Sequence, residues 1–244
     1  MIRILKSELG LTLRILFRQP GFWVPTVLFP AMLYSFFGAS MASGGQGAYA
    51  MASFAVYAVV GVGFYQFGVT VAQDRENPFT VWQRTLPGNA AMPWVARVVA
   101  SLIFVMVAVG LVLIAAWLIG GVTVSGAAYT RLAGACAMAA VPATLMGTAL
   151  GSVASSRAAV PLANLIFLPL SYLGGLWVPP IALPSGINAL SVWTPTRAMG
   201  EIAWAAMDGR AIPTRFLAVV LGWALLSGAI TWLAQRRNAR ALFG

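Results

Sequence analysis

YAMASFAVYAVVGVGFYQFGVTVA, residues Tyr49–Ala72, is an uncharged run of 24 residues that passes directly into QDRENPFTVWQRTLPGNAAMP, residues Gln73–Pro93. A hydrocarbon layer of about 30 Å is crossed by roughly 20 apolar residues in a helix, so the first run predicts a membrane span. The second run carries both charge signs and several prolines. A wholly lipid-embedded pore has little use for such a segment, and its position between two spans predicts a docking surface for another protein.

Outward from this junction, five further apolar stretches repeat the first signal: Phe22–Met41, Trp94–Ile119, Leu132–Val153, Val160–Val178 and Phe216–Ala234. Together they predict an all-α integral membrane protein of six transmembrane helices, because only a helix satisfies its own backbone within hydrocarbon. Of 244 residues, 60% are apolar and 8% charged, far from the roughly 25% charged residues of a soluble domain. One membrane domain, residues 1–244, accounts for the chain. Pro25 and Pro30 predict a kink in the first span. Gly147 and Gly151, four apart in the fourth, permit close helix approach.

Residues 1–19 read as an amphipathic helix ending at Pro20, with Arg3, Lys6, Arg14 and Arg18 on one side and Ile2, Leu5, Leu9, Leu13 and Leu16 on another. This pattern fits a helix lying in the headgroup layer, cations toward anionic lipid and leucines toward acyl chains. Phe17 alone is out of place. A signal peptide cleaved near Ala39–Ala42 is the competing reading of this end. The apolar run exceeds the roughly 7–15 residues of such a peptide, so an uncleaved anchor is expected.

The formal net charge of +10 comes from fourteen arginines and one lysine against five acids. These cations sit at span ends rather than among base-stacking aromatics, the pattern of membrane topology and not of nucleic-acid binding. Eleven of them fall on the side of the N-terminus, the Gln73–Pro93 segment with Arg97 just beyond it, the Arg157 turn and the C-terminus, against Arg131, Arg197, Arg210 and Arg215 on the other. Both termini are therefore expected in the cytoplasm, and an even span count agrees in putting them on one side. Histidine is absent, which removes His-ligated metals and His-based triads. Cys136, the single cysteine, lies in an apolar run and cannot close an intrachain disulfide.

The acids Glu8, Asp74, Glu76, Glu201 and Asp208 all avoid the middle of a predicted span, which argues against proton coupling through a buried carboxylate. No phosphate loop, zinc-protease motif or nucleophile elbow is present. Uphill movement of a substrate would need energy from a separate subunit and a cytoplasmic surface to receive it. The Gln73–Pro93 segment fits that need, with a short helix starting near Pro78, Trp82 and Leu86 at i and i+4, and Pro87-Gly88 ending it. A solvated loop whose charges merely fix topology is the alternative at this point. In the long segment 179–214, prolines interrupt residues that stay apolar, and two short helices, Ile187–Trp193 and Arg197–Met207, follow. A re-entrant helical segment between spans five and six is expected there, a simple external loop being the alternative.

The order of these features resembles the membrane subunit of ABC-2 type (type V) ABC exporters. The resemblance rests on the basic N-terminal helix, the six spans, and Asp74-Arg75-Glu76 leading to Thr85-Leu86-Pro87. Gly174-Gly175-Leu176-Trp177-Val178-Pro179, Thr194-Pro195-Thr196-Arg197-Ala198 and Ala205-Ala206-Met207-Asp208-Gly209 complete it. It implies a permease at the cell (cytoplasmic) membrane that is not an enzyme by itself and holds no cofactor. ATP and Mg would be bound by a partner nucleotide-binding subunit, with a second permease copy or sibling completing the assembly. By the same resemblance the partner contacts Asp74, Arg75, Glu76, Phe79, Trp82, Arg84 and Leu86, with Arg157 as an auxiliary contact. The implied substrate is hydrophobic or amphiphilic, drug-like or lipid-like. Phe36, Tyr57, Phe64, Tyr65, Tyr172 and Trp177 are candidates to line its path, although packing is the alternative role for any one of them. A polysaccharide or lipid-linked glycan exporter, and a nucleotide-independent carrier or channel, are the competing functions.

Overall fold

The structure, a computed structural model, describes residues 2–18, 20–42, 44–78 and 91–243. The described residues are overwhelmingly helical, with no strand among them. Among the described residues, four helices are long and apolar enough to cross a membrane: Gly47–Glu76, Val95–Leu118, Gly126–Val153 and Thr214–Arg237. Two apolar helices are shorter, Thr26–Ala42 and Ala159–Leu173.

Helix 47–76 forms the centre of the bundle. It packs against helices 91–118, 126–153 and 195–208, and Met51, Phe54, Tyr57, Phe64 and Phe67 are all buried along it. Small residues make this burial possible by letting backbones meet. A Cβ placed on Gly147 would collide with the Gly63 carbonyl oxygen, and one on Gly151 would lie 2.6 Å from the Gly68 carbonyl oxygen. The glycine pair legible in the sequence is thus a backbone-to-backbone seam between helices 47–76 and 126–153. Residues Gly63–Val69 on the facing helix are wound as a π-helix.

Around Pro25 and Pro30, where a kink is expected, the helix is widened. Residues 20–42 stay helical through two π segments, Val24–Leu28 and Tyr34–Gly38. The Phe29 N–H donates to the Val24 carbonyl and the Ala39 N–H to the Tyr34 carbonyl, each five residues back. Proline removes a donor and crowds the preceding turn, and here the ladder absorbs this by taking an extra residue instead of breaking.

The N-terminal helix, Ile2–Phe17, lies along helix 91–118. Leu9 and Leu13, on the face expected to meet acyl chains, instead join Val27, Ala58, Val62, Ala100, Phe104 and Ala108 in a second small core. Leu11 and Ile15 remain exposed, as do Arg14 and Arg18. Phe17 finds a reason for its place, its ring centroid lying 5.4 Å from that of Phe104. Arg3 and Lys6 belong to this helix, but their side chains lie outside the described residues.

The expected fifth span, Val160–Val178, is shorter in the structure. Its helix is Ala159–Leu173, and the chain then turns through Gly174 and Gly175, the latter at φ +72°. At this turn the Thr196 hydroxyl donates to the Leu170 carbonyl, and a Cβ on Gly174 would strike the Thr196 side chain. Beyond the turn come a single 3₁₀ turn, Pro180–Ala182, and the helices Ser185–Ser191 and Pro195–Asp208. The last of these is capped at both ends. Thr194 Oγ1 accepts from the Arg197 N–H at 3.3 Å with Pro195 in the first helical position, and Gly209 ends it at φ +69°.

Candidate functional site: the two ends of the bundle

At the junction end, three consecutive side chains of helix 47–76 reach three different parts of the bundle. Asp74 forms an ion pair with Arg97 of helix 91–118. Arg75 Nη1 donates to the carbonyls of Gly151 at 2.8 Å and Ser152 at 2.5 Å, the last turn of helix 126–153. Carbonyls at a helix C-terminus lack intrahelical partners and carry partial negative charge, so a guanidinium satisfies both needs. Glu76 Oε1 accepts from the Ser156 N–H at 3.0 Å, in the turn that follows. Arg157 is exposed on that same turn. Phe79, Trp82, Arg84 and Leu86 lie outside the described residues.

At the opposite end, a pocket of about 230 Å³ opens between helices 47–76 and 195–208. Arg197 is its buried charge, 8% exposed. Its Nε donates to Glu201 Oε1 at 2.9 Å, and its Nη1 to Asn188 Oδ1 at 3.1 Å and Ser191 Oγ at 3.0 Å. A buried guanidinium is tolerated only when its charge and its donors are matched, and here one arginine joins the two short helices while answering Glu201. Trp204 Nε1 donates to Ser53 Oγ at 2.9 Å, and Tyr49 Oη to Asp208 Oδ2 at 2.6 Å. These two bonds show that helix 195–208 runs antiparallel to the start of helix 47–76. Arg210 Nε also donates to Asp208 at 2.7 Å, a contact that holds its pKa above the ordinary arginine value. Arg131 Nε donates to the Ala206 carbonyl at 2.6 Å, closing helix 195–208 much as Arg75 closes helix 126–153.

The aromatic candidates separate into three groups. Tyr57 and Phe64 are buried and stack on Phe167, with centroids 4.7 and 5.8 Å away. Tyr65 meets the same ring edge-on at 6.5 Å, and its hydroxyl bonds Asn164 Oδ1. Trp177 lies 5.9 Å from Tyr57 and lines the 230 Å³ pocket. Phe36 stands apart, 70% exposed on helix 20–42, and Tyr172 is half-buried. The first group is interlocked packing. Trp177 alone among the six borders a described pocket.

Sequence reasoning missed Arg197, Glu201, Trp204, Tyr49 and Asp208 as a group. Arg197 and Glu201 had a local signal, i,i+4 spacing just inside a Thr-Pro helix start. Tyr49 and Asp208 are 159 residues apart and had none. Among the described residues, Tyr34 Oη, Gln66 Oε1 and Trp177 Nε1 are buried without a hydrogen-bond partner, and no cluster of three or more His, Cys, Asp or Glu side chains forms.

This bundle of apolar helices, stapled at one end by an acidic–basic–acidic triplet, has recognisable relatives. The family described as ABC-2 type transporter matches residues 10–207, and the chain belongs to it. It is 18% identical over 191 residues to YvfS of Bacillus subtilis (strain 168), named as a transport permease, with 78% of each chain covered. No solved structure matches. The chain is accordingly a membrane protein and a permease of the ABC transporter class, whose members in general work with an ABC ATPase subunit. Such a permease is not itself the catalytic subunit.

Proposed function

We propose that this chain is the membrane subunit of an ATP-driven exporter that moves a hydrophobic or amphiphilic molecule, drug-like or lipid-like, out of the cytoplasm or inner leaflet. The carrying observation is the bonding of Asp74, Arg75 and Glu76 to helix 91–118, the end of helix 126–153 and the Ser156 turn. A push on the segment that follows would be delivered to two helices and the Ser156 turn at once. ATP and Mg belong to the partner ATPase, which docks on residues 73–93 and the Arg157 turn. A second permease copy completes the pair, in the cell membrane, with both termini cytoplasmic.

In this reading the chain crosses six times. Helix 159–173, 15 residues long, rises about 22 Å and falls short of a hydrocarbon core of roughly 30 Å. Helix 195–208, tied to its end through Thr196 and Leu170, continues toward the Tyr49 level as a re-entrant element.

The test is reconstitution of the full chain with its ATPase in liposomes, following a fluorescent hydrophobic amine. Transport is expected to need both proteins and ATP. Trp82→Ala and Leu86→Ala should leave hydrolysis running while transport falls. Transport unchanged in both variants overturns the docking assignment, and transport by this chain alone without nucleotide overturns the class.

A further inference from the structure

Helix 214–237 is the least buried of the four long spans, and a groove of about 500 Å³ runs along it. Arg215 stands at one end and Leu226 at the other, with Ala218 and Gly222 forming the floor between the rings of Trp193 and Trp223. Trp223 Nε1 donates to the Trp193 carbonyl at 2.9 Å, which fixes the walls relative to each other. From Arg215 to Leu226 a helix rises about 16 Å, close to the half-thickness, roughly 15 Å, of a bilayer's hydrocarbon. The groove therefore has the length of one leaflet and an arginine where headgroups lie, with two tryptophans along it, one of them 70% exposed.

Its charge points to the occupant. Arg215 forms no ion pair among the described residues, and its guanidinium rests 4.5 Å from the Phe216 ring centroid. The carboxylates of the preceding helix are engaged elsewhere, Glu201 by Arg197 and Asp208 by Arg210. A second copy of this chain would arrive with four of its five carboxylates bonded internally, since Asp74 and Glu76 are held as well. It is poorly equipped to answer the cation. A phosphodiester carried on an acyl chain answers both halves of the groove.

We propose that this groove holds one acyl chain of a phospholipid from the leaflet on the side of the 179–214 segment, its phosphate against Arg215. The proposal rests on the reading that helix 214–237 crosses the bilayer with Arg215 at headgroup level. It is independent of which molecule is exported.

The experiment is native mass spectrometry of the detergent-purified full chain offered phosphatidylglycerol or diacylglycerol with identical acyl chains. One phosphatidylglycerol per chain should be retained, about fivefold more than diacylglycerol, the effect of a single cation near an anionic headgroup. Arg215→Gln should bring the two lipids level. Gly222→Leu should lose both, and because a Cβ at Gly222 meets nothing within 4 Å, its side chain enters the groove without displacing packing. Ala218→Leu fills the same floor if that variant folds poorly. Lipid retained undiminished by the filled grooves, or a preference for phosphatidylglycerol unchanged in Arg215→Gln, overturns the proposal. So does efficient disulfide formation between copies by Leu226→Cys in a Cys136→Ser background, which would assign the groove to a second copy. A nitroxide at position 215 reporting the bilayer centre would instead overturn the spanning reading beneath it.

Discussion

Helices 47–76 and 214–237 are both long enough and apolar enough to span a bilayer, yet 89% of the first one's most apolar window is buried inside the protein and only 17% of the second's. The exposed helix is the more hydropathic of the two. In water such an inversion would be costly. In lipid, an apolar side chain gains little by exchanging acyl chains for protein, so hydropathy stops choosing which helix goes inside. Close packing and polar pairing choose instead. Gly63 and Gly68 press on the backbone of helix 126–153, whereas a Cβ on Gly222 or Gly228 meets nothing within 4 Å. Ser53, Asp74, Arg75 and Glu76 each bond another element.

Gly147→Leu attacks the buried side where it is tightest. No rotamer of leucine fits against the Gly63 carbonyl, and the expected loss is at least about 3 kcal/mol, the upper range for overpacking. Size-exclusion chromatography and a tryptophan-fluorescence melt in detergent should show little folded protein. A melt like that of the unmodified chain would mean the glycine seam is not what centres helix 47–76.

Arg75→Ala comes next, removing the guanidinium from the Gly151 and Ser152 carbonyls. Loss of a charged hydrogen-bonding group is expected to cost about 1.5–3 kcal/mol. The lower Tm should be partly restored in Arg75→Lys, which keeps the charge without the forked geometry. A smaller effect follows for Ser53→Ala, which leaves the buried Trp204 Nε1 without its acceptor, at about 1 kcal/mol. Trp204→Phe combined with Ser53→Ala should be closer to neutral than Ser53→Ala alone. Gly228→Ala on the exposed helix closes the series. It should change stability by less than about 1 kcal/mol and in the stabilising direction, because alanine is the better helix former. A destabilisation as large as that of Arg75→Ala would show that this face is packed against something in the folded state.

The helix-forming content was legible from one end of the chain to the other. The starts at Ser125 and Thr194-Pro195 and the stop at Gly209 follow local capping rules, although the apolar runs alone place those two starts later, at Leu132 and Arg197. The first span was legible as apolar and proline-bearing, but its two π segments were not. The fifth helix ends at Gly174-Gly175, which pack closely on Thr196 and Pro180 of the segment that follows. In the candidate site, Asp74-Arg75-Glu76 stood out as charged residues beside lipid-soluble sequence. The direction of their side chains, back onto helices 91–118 and 126–153, depended on residues up to 80 positions away. Tyr57 and Phe64, candidates for a path, stack on Phe167, a ring that no sequence pattern singles out.

Amino-acid order alone determined that this chain is an assembly of apolar helices with a charged junction after residue 72, because hydropathy and capping act over one helix length. Which helix is central, which arginine closes which helix end, and where a groove is left open were decided only in the folded bundle. The reason is that lipid satisfies every apolar face equally, so the choice falls to glycines and polar groups that meet across the bundle.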